Sequence, residues 1–454
     1  MKKEYAAYVW KWVAVAGIIL AGWYGLNTAQ ADARDTVATG EVQCRVELDR
    51  AVLPAGGTQR AIVKVTLDPP LPPESIGRPP VNLAIVLDRS GSMAGDKLRK
   101  AKEAAIEALR RLGPEDLFSV VVYDHNAATI VPAQRAKNIE WIEGRIRSIR
   151  AGGNTALFSG VSQGASEVRK HLDSDYVHRI ILLSDGRANV GPSSPADLGR
   201  LGAALSKEHI SVTTVGVGYD YNEDLMTRLS GNSDGNAYFV ESSQDLPHIF
   251  AKELGDVLNV VAQRVRVIIE CAEGIRPLRI IGRDGRIRDR AVELSLNQLY
   301  GGKEKYVLVE VEIPGHAGGH TVDVARATVY YADPFTRRNE SASGHTMVQF
   351  SDDSDKIRQS VNIGVTREYH LNLNAIAQEK AISLSDKGKK DEAIRELKKS
   401  GSELRRLGKE YKDKTLLHEA EKIEAQAARI DQEGMTSKYR KSLRTDSYQK
   451  KTQQ

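Results

Sequence analysis

The chain of 454 residues has little cysteine and no large excess of charge of either sign. It contains only two cysteines, which excludes zinc ribbons and disulfide-dense scaffolds. Its 65 Lys and Arg residues nearly balance its 60 Asp and Glu residues, so we expect no nucleic acid partner. After residue 26 it also lacks any apolar run long enough to cross a membrane. The remaining composition, 41% hydrophobic and 28% charged, is that of a globular protein.

The N-terminus has the pattern of an export signal. A positively charged start is followed by a 14-residue apolar stretch, Val13–Leu26, and then by Ala29-Gln30-Ala31, a small-x-small pattern that signal peptidase cleaves. We therefore expect residues 1–31 to be a signal peptide and the protein to be secreted or periplasmic. An uncleaved N-terminal membrane anchor is the alternative.

The periodicity of hydrophobic residues changes several times along the remaining chain. Period-2 alternation predicts strands within residues 32–80, which end in a linker with six of the fifteen prolines. Short continuous apolar runs alternate with helical patterns over residues 81–258, which indicates a mostly parallel sheet covered by helices on both faces. Strand alternation returns over residues 259–352.

The C-terminal third is predicted to be helical and then disordered. Residues 353–433 show helical periodicity and resemble a tetratricopeptide-like helix hairpin. Residues 434–454 are polar, with six basic residues and one acidic residue, and predict a disordered basic tail. The strands before residue 81 are too few to bury an apolar face alone. We therefore predict that they pair with strands of 259–352, so that the α/β domain is inserted into a split antiparallel β-sandwich.

Five oxygen-bearing side chains occur at three separated places that the predicted sheet would bring to one edge. They are Asp88, Ser90, Ser92, Thr155 and Asp185. The carboxyl ends of parallel strands form one rim, where ligands bind in open α/β sheets. Two carboxylates with three hydroxyls suit a hard divalent cation, and the absence of clustered thiolates or imidazoles disfavours zinc and copper. The pattern predicts bound Mg²⁺, with Mn²⁺ or Ca²⁺ as alternatives.

On these motifs, the region Val81–Leu258 resembles a von Willebrand factor type A domain. The five side chains match, position by position, the metal-ion-dependent adhesion site of that family. The resemblance implies a Rossmann-like doubly wound fold, a metal held by the two serines, the threonine and the first aspartate, and a second aspartate that acts through water. It also implies one coordination position open to an acid of a ligand. More weakly, the whole chain resembles bacterial secreted proteins with this domain and, distantly, the heavy chains of inter-alpha-trypsin inhibitor.

The resemblance implies a non-enzymatic, extracytoplasmic protein that captures an Asp or Glu side chain of a protein partner through Mg²⁺. One alternative is a structural envelope scaffold whose helices and basic tail carry the interaction, with the tail touching an anionic envelope surface. The other is a metal-dependent hydrolase, which needs a general base near the site. Asp124, His125 and Asp220 are the candidates for that base.

The two cysteines lie on opposite sides of the α/β domain in sequence. Cys44 and Cys271 each alternate with apolar residues of a predicted strand, so both are expected to point into a core, and into the same one. Because export would place them in an oxidising compartment, we predict a disulfide between them. The alternative is two separate buried thiols.

Overall fold

The computed structural model describes residues 40–73, 77–173 and 175–454. The predicted signal peptide lies outside these residues. Within the part of the chain that is described, no helix is both long and apolar enough to cross a membrane.

Short strands precede the α/β domain, which itself alternates strands with helices. The first strands are β1 (Gln43–Leu48), β2 (Val52–Pro54) and β3 (Gln59–Asp68). The strands of the α/β domain are β4 (Val81–Asp88), β5 (Leu117–Tyr123), β6 (Ala127–Arg135), β7 (Val177–Ser184), β8 (Ile210–Val217) and β9 (Ala237–Val240). Its helices are α1 (Asp96–Arg110), α2 (Ile139–Arg147), α3 (Leu157–Arg169), α4 (Pro195–Lys207), α5 (Glu223–Asn232) and α6 (Leu246–Val257).

The α/β sheet has the strand order β6-β5-β4-β7-β8-β9, and its neighbours are parallel except for β6 with β5. Helices α1, α2 and α6 pack on one face, where Phe250 and Leu109 are fully buried. Helices α3, α4 and α5 pack on the other face through residues such as Val161 and Leu229. Because both faces are covered, the central strands are continuous apolar runs rather than alternating ones.

Strands on either side of the α/β domain in sequence form one β-sandwich. The later strands are β10 (Val260–Cys271), β11 (Arg276–Ile281), β12 (Arg286–Arg288), β13 (Ala291–Tyr300), β14 (Lys305–Ile313), β15 (Thr321–Asp333) and β16 (Arg338–Ser351). One sheet has the order β1-β3-β14-β11 and the other β12-β13-β10-β15-β16-β2. Strands β3 and β14 pair in antiparallel register, with Val63 opposite Val309. Together with the α/β sheet, this confirms the predicted fold class, including the split sandwich.

The C-terminal part is helical. Its helices are α7 (Ser354–Gln359), α8 (Ile363–Asp386), α9 (Lys390–Glu410), α10 (Lys414–Glu433) and α11 (Ser437–Thr452). Helices α8 to α11 share a core that includes Leu397, Ile423 and Leu443. The first turns of α8 also cover the outer face of the smaller sheet, where Val365 packs against Leu308.

The prediction of a disordered basic tail is wrong, because residues 437–452 form α11. Its basic side chains have partners within the protein: Lys441 pairs with Glu223 at 2.7 Å, and Arg440 pairs with Asp224 at 2.6 Å. Tyr448 donates a hydrogen bond to the Gly235 carbonyl. Composition indicated disorder because the segment is almost without apolar residues, but ion pairs and hydrogen bonds to the α/β domain hold it instead.

The C-terminal end of α11 is held by a buried lysine of the sandwich. Lys305 donates to the Thr452 carbonyl at 2.5 Å and to the Gln453 carbonyl at 3.0 Å. Burial, with a contribution from the charge of Arg283, lowers the pKa of Lys305 from its ordinary 10.5 to about 7. Below pH 7 the folded protein therefore carries the full cost of a buried ammonium.

Replacing Lys305 should change how stability depends on pH. Between about pH 7 and pH 10.5 the unfolded chain keeps the Lys305 proton while the folded chain has lost it. The free energy of unfolding therefore increases as the pH rises through that window. We expect Lys305→Met to flatten the rise, measured by urea unfolding at pH 7 and pH 9.5. Lys438→Met, on an exposed part of α11, should leave the slope as in the wild type. Equal slopes for Lys305→Met and wild type would contradict the expectation.

The predicted disulfide is also wrong, since Cys44 and Cys271 are both free thiols. Both contact the sandwich core, as their strand faces indicated. However, the Cys44 carbonyl lies against Gly344 of β16, whereas Cys271 pairs with Ala325 of β15. Cys44 lies on β1 of the smaller sheet and Cys271 on β10 of the larger one, and β15 separates β10 from the β16 backbone that Cys44 contacts. Burial raises the pKa of each thiol to about 11.

Candidate metal centre

Three loops meet at the carboxyl-terminal rim of the α/β sheet. The loop after β4 joins the loop before α3 through two backbone hydrogen bonds, from Gly91 N to Gly153 O at 3.0 Å and from Gly152 N to Arg89 O at 2.8 Å. The loop before α3 joins the loop after β7 where Asn189 N donates to Thr155 O at 3.1 Å. Backbone hydrogen bonds therefore fix the three loops to one another.

The five predicted side chains meet where these loops converge. The hydroxyl oxygens of Ser90 and Ser92 are 3.1 Å apart, and Ser92 Oγ donates to Asp185 Oδ1 at 2.7 Å. Thr155 enters from the second loop, and a Cβ on Gly186 would lie 3.1 Å from its Oγ1 and 3.6 Å from Ser92 Oγ. The absence of a side chain at Gly186 therefore keeps the space between these hydroxyls open.

Asp88 forms the floor of the cluster at the end of β4. Its side chain is fully buried, and it accepts hydrogen bonds from Ser90 N at 2.8 Å and from Ser184 Oγ at 2.7 Å. Burial raises the pKa of Asp88, and the neighbouring carboxylate of Asp185 adds to the rise while the hydrogen bonds oppose it. Two buried carboxylates so close together favour a cation beside them.

Sequence reasoning missed several residues that support the cluster. Lys97 in the first turn of α1 forms an ion pair with Asp185 Oδ2 at 2.5 Å, and Asn189 accepts from Thr155 N at 2.9 Å. Ser184, which hydrogen-bonds Asp88, directly precedes a predicted ligand, so its position was a usable signal. Lys97 gave no signal, because a lysine near the start of an amphipathic helix usually belongs to a solvated face.

The candidate general bases serve other purposes in the structure. Asp124 forms an ion pair with Arg89 at 2.7 Å, and His125 Nδ1 accepts a 3.4 Å hydrogen bond from Asn154 N. The Asp124 side chain thus contacts the loop after β4, and His125 contacts the loop in front of Thr155. Asp220 is exposed in the loop between β8 and α5.

The residues present fit a hard divalent cation. The cluster offers two carboxylates and three hydroxyls, all oxygen donors, in a space bounded by Gly186. Such ions need only one or two protein carboxylates because they keep several waters. Over the described ranges, no group of three or more His, Cys, Asp or Glu side chains is arranged to hold a metal. A hydroxyl-rich cluster of this kind is therefore the metal-site candidate that the rim provides.

Comparison with known proteins agrees with the fold. The family model of the von Willebrand factor type A domain matches residues 82–252. An uncharacterized protein of Synechocystis sp. is 27% identical over 318 residues, which make up 68% of this chain and 72% of the relative. The human inter-alpha-trypsin inhibitor heavy chain H4 is 28% identical over 221 residues, which make up 47% of this chain but 23% of the heavy chain.

Solved structures also match most of the chain, and two of them are compared below. The von Willebrand factor type A protein from Catenulispora acidiphila has a TM-score of 0.66 and 17% identity, covering 84% of this chain and 90% of that one. The ArnB paralog VWA2 from Sulfolobus acidocaldarius has a TM-score of 0.62 and 17% identity, covering 91% and 98%. At these identities the likeness establishes the fold. With the family match over the doubly wound sheet, it shows that this chain contains a von Willebrand factor type A domain, built into a β-sandwich and followed by helices.

Proposed function

We propose that the protein binds a divalent metal ion, Mg²⁺ in the first place, and uses it to capture an acidic side chain of a protein partner. The observation that carries the proposal is the convergence of the Ser90, Ser92 and Thr155 hydroxyls on two buried carboxylates at the sheet rim. The von Willebrand factor type A fold supports it, because members of this family typically bind proteins through such a site.

Each residue of the cluster has a distinct part in this proposal. Ser90, Ser92 and Thr155 would donate neutral hydroxyl oxygens, and Asp88 would donate a charged one. Asp185, which is held by Ser92 and Lys97, would not bind the metal directly but would orient the Ser92 hydroxyl. The bound cation supplies a positive centre with affinity for a carboxylate oxygen. Because Ser92 is exposed while the other members are buried, a partner would approach from its side.

We propose that this binding is not linked to catalysis. The support is that Asp124 pairs with Arg89 of the loop after β4, that His125 accepts from Asn154 in front of Thr155, and that Asp220 lies on another loop. The export pattern of residues 1–31 supports an extracytoplasmic location, secreted or periplasmic. A partner would then be found among envelope or secreted proteins.

Partner capture in the presence and absence of chelator tests the proposal. The protein is immobilised and exposed to solubilised envelope proteins with Mg²⁺, and bound partners are then eluted with EDTA. We expect EDTA to release the partner while the protein stays folded, because the contact depends on the metal. Thr155→Ala should capture little, whereas Ser166→Ala, which alters an exposed serine of α3, should capture as the wild type does. A partner that stays bound in EDTA would contradict metal-mediated capture and favour the scaffold alternative.

A further inference from the structure

The first observation concerns both oxygens of Asp185, which are already occupied within the chain. Oδ1 accepts from the Ser92 hydroxyl at 2.7 Å, and Oδ2 accepts from the Lys97 ammonium at 2.5 Å. Asp185 itself is fully buried, whereas about a third of the Lys97 side chain is exposed. The cluster therefore contains a fixed cation of its own beside one of its two carboxylates.

The second observation is that the fold positions Lys97 for this contact. Gly95, with a φ of 79°, turns the chain so that α1 begins with its first turn above the cluster. The loop after β8 closes the other side, where a Cβ on Gly218 would lie 3.9 Å from Lys97 Nζ. Among the residues that the structure describes, Asp185 is the carboxylate with which Lys97 forms an ion pair. No second carboxylate of the described residues forms an ion pair with the Lys97 ammonium.

The third observation is the charge that results when the site holds metal. A divalent ion beside two carboxylates would be neutral overall, but the ammonium of Lys97 leaves one net positive charge. Arg187, exposed two residues after Asp185, adds a second positive group at the same rim. A net positive, partly buried centre attracts an anionic group and repels a cationic one.

From these contacts we propose that Lys97 is a positioning and specificity-determining residue of the metal site. It neutralises Asp185 and holds the carboxylate towards Ser92. This weakens the affinity for the metal and leaves the loaded site with the positive charge that selects acidic ligands. The inference rests on the proposed metal binding, and it assigns to one residue the preference for an Asp or Glu side chain on the partner.

Mn²⁺ titration of matched variants tests the effect on the metal. Free Mn²⁺ is measured by electron paramagnetic resonance for wild type, Lys97→Met, Lys97→Arg and Lys100→Met. Lys100 is also on α1 but pairs with Glu103 at 2.9 Å, away from the cluster. We expect Lys97→Met to bind Mn²⁺ at least about tenfold more tightly, because a positive charge near the ion is removed. Lys97→Arg and Lys100→Met should stay within about threefold of wild type, since they leave that charge in place.

Fluoroacetate tests the effect on ligand selection, because bound Mn²⁺ broadens the fluorine resonance of a carboxylate that reaches it. At equal Mn²⁺ occupancy, we expect the broadening in Lys97→Met to fall several-fold below that of wild type and Lys97→Arg. Thermal unfolding of each variant, with Lys97→Gln as a second neutral substitution, separates these effects from misfolding.

The outcomes distinguish the two proposals. If wild type binds Mn²⁺ and the Mn²⁺ affinity of Lys97→Met is within about threefold of the wild-type value, the role of Lys97 is overturned. The proposed metal site is not affected by that result. Equal fluoroacetate broadening in wild type and Lys97→Met overturns the role of Lys97 in the same way. Wild type that does not bind Mn²⁺ overturns the proposed function, and the role of Lys97 with it.

Discussion

Asp88→Ala should abolish Mg²⁺ binding and, with it, the stabilisation that the metal gives to the folded protein. Asp88 is the fully buried carboxylate at the floor of the cluster, and its two oxygens are held by Ser90 N and Ser184 Oγ. No other carboxylate in the described structure replaces it there, because Asp185 is paired with Lys97. A hard cation left with hydroxyls and water has lost its main charged ligand.

The size of the effect follows from linkage between binding and folding. At a Mg²⁺ concentration one hundred times the dissociation constant, wild type should gain about 2.7 kcal/mol in the free energy of unfolding, and Asp88→Ala should gain none. Without metal the two proteins should differ less. The variant loses two hydrogen bonds, worth about 1 kcal/mol each, but it also loses a carboxylate whose pKa is raised by burial.

Calorimetric titration and thermal unfolding with and without Mg²⁺ measure these quantities. Asp96→Ala is the matched control, because Asp96 is an exposed aspartate of α1 that pairs with Arg99. The control should bind Mg²⁺ as the wild type does. Unchanged Mg²⁺ affinity in Asp88→Ala would remove Asp88 from the site.

Arg179→Met should cost about 3–5 kcal/mol of stability, because it leaves a buried carboxylate without its cationic partner. Arg179 lies near the start of β7, at the end of the sheet opposite the metal rim, and its side chain is fully buried. It pairs with Glu253 of α6 at 3.4 Å and donates to Gln298 at 2.6 Å and to the Tyr300 hydroxyl at 2.5 Å. Because the last two belong to β13, one side chain ties the α/β domain to the sandwich.

Urea unfolding of matched variants measures this cost. Arg169→Met removes an exposed arginine that pairs with Glu208 at 2.6 Å, and it should cost less than about 1 kcal/mol. The double variant Arg179→Met/Glu253→Gln should recover part of the loss, because the unpaired charge is gone. A cost for Arg179→Met no larger than that for Arg169→Met would show that this buried network does not hold the domains together.

The sequence was most informative for polar side chains that directly follow a strand. Asp88 and Asp185 could be placed at one rim because each follows a continuous apolar run, and parallel strands end on the same side. Lys97 could not be predicted, because its partner is 88 residues away and its own helix position looks solvated. Strand β6 also gives no sequence signal, because it is a half-exposed edge strand with a proline at position 132 and therefore lacks both alternation and a continuous apolar run.

The two errors have a common physical cause. Composition indicated a disordered tail, but α11 is stabilised by partners such as Glu223 and Gly235, which lie more than two hundred residues earlier. The cysteines were correctly assigned to one core, but alternation fixes only the face of a strand and not its place across the sheet. The places of β1 in one sheet and of β10 in the other, which separate Cys44 from Cys271, are set by long-range strand pairing.

We propose above that the clustered hydroxyls and carboxylates at the rim hold a divalent metal ion. Anomalous diffraction from crystals of the wild-type protein soaked in Mn²⁺, recorded on both sides of the manganese absorption edge, tests it most directly. We expect an anomalous peak enclosed by Ser90, Ser92, Thr155 and Asp88, and no such peak in crystals of Asp88→Ala treated in the same way. Soaked wild-type crystals that show manganese elsewhere on the protein, but none within this cluster, would contradict it.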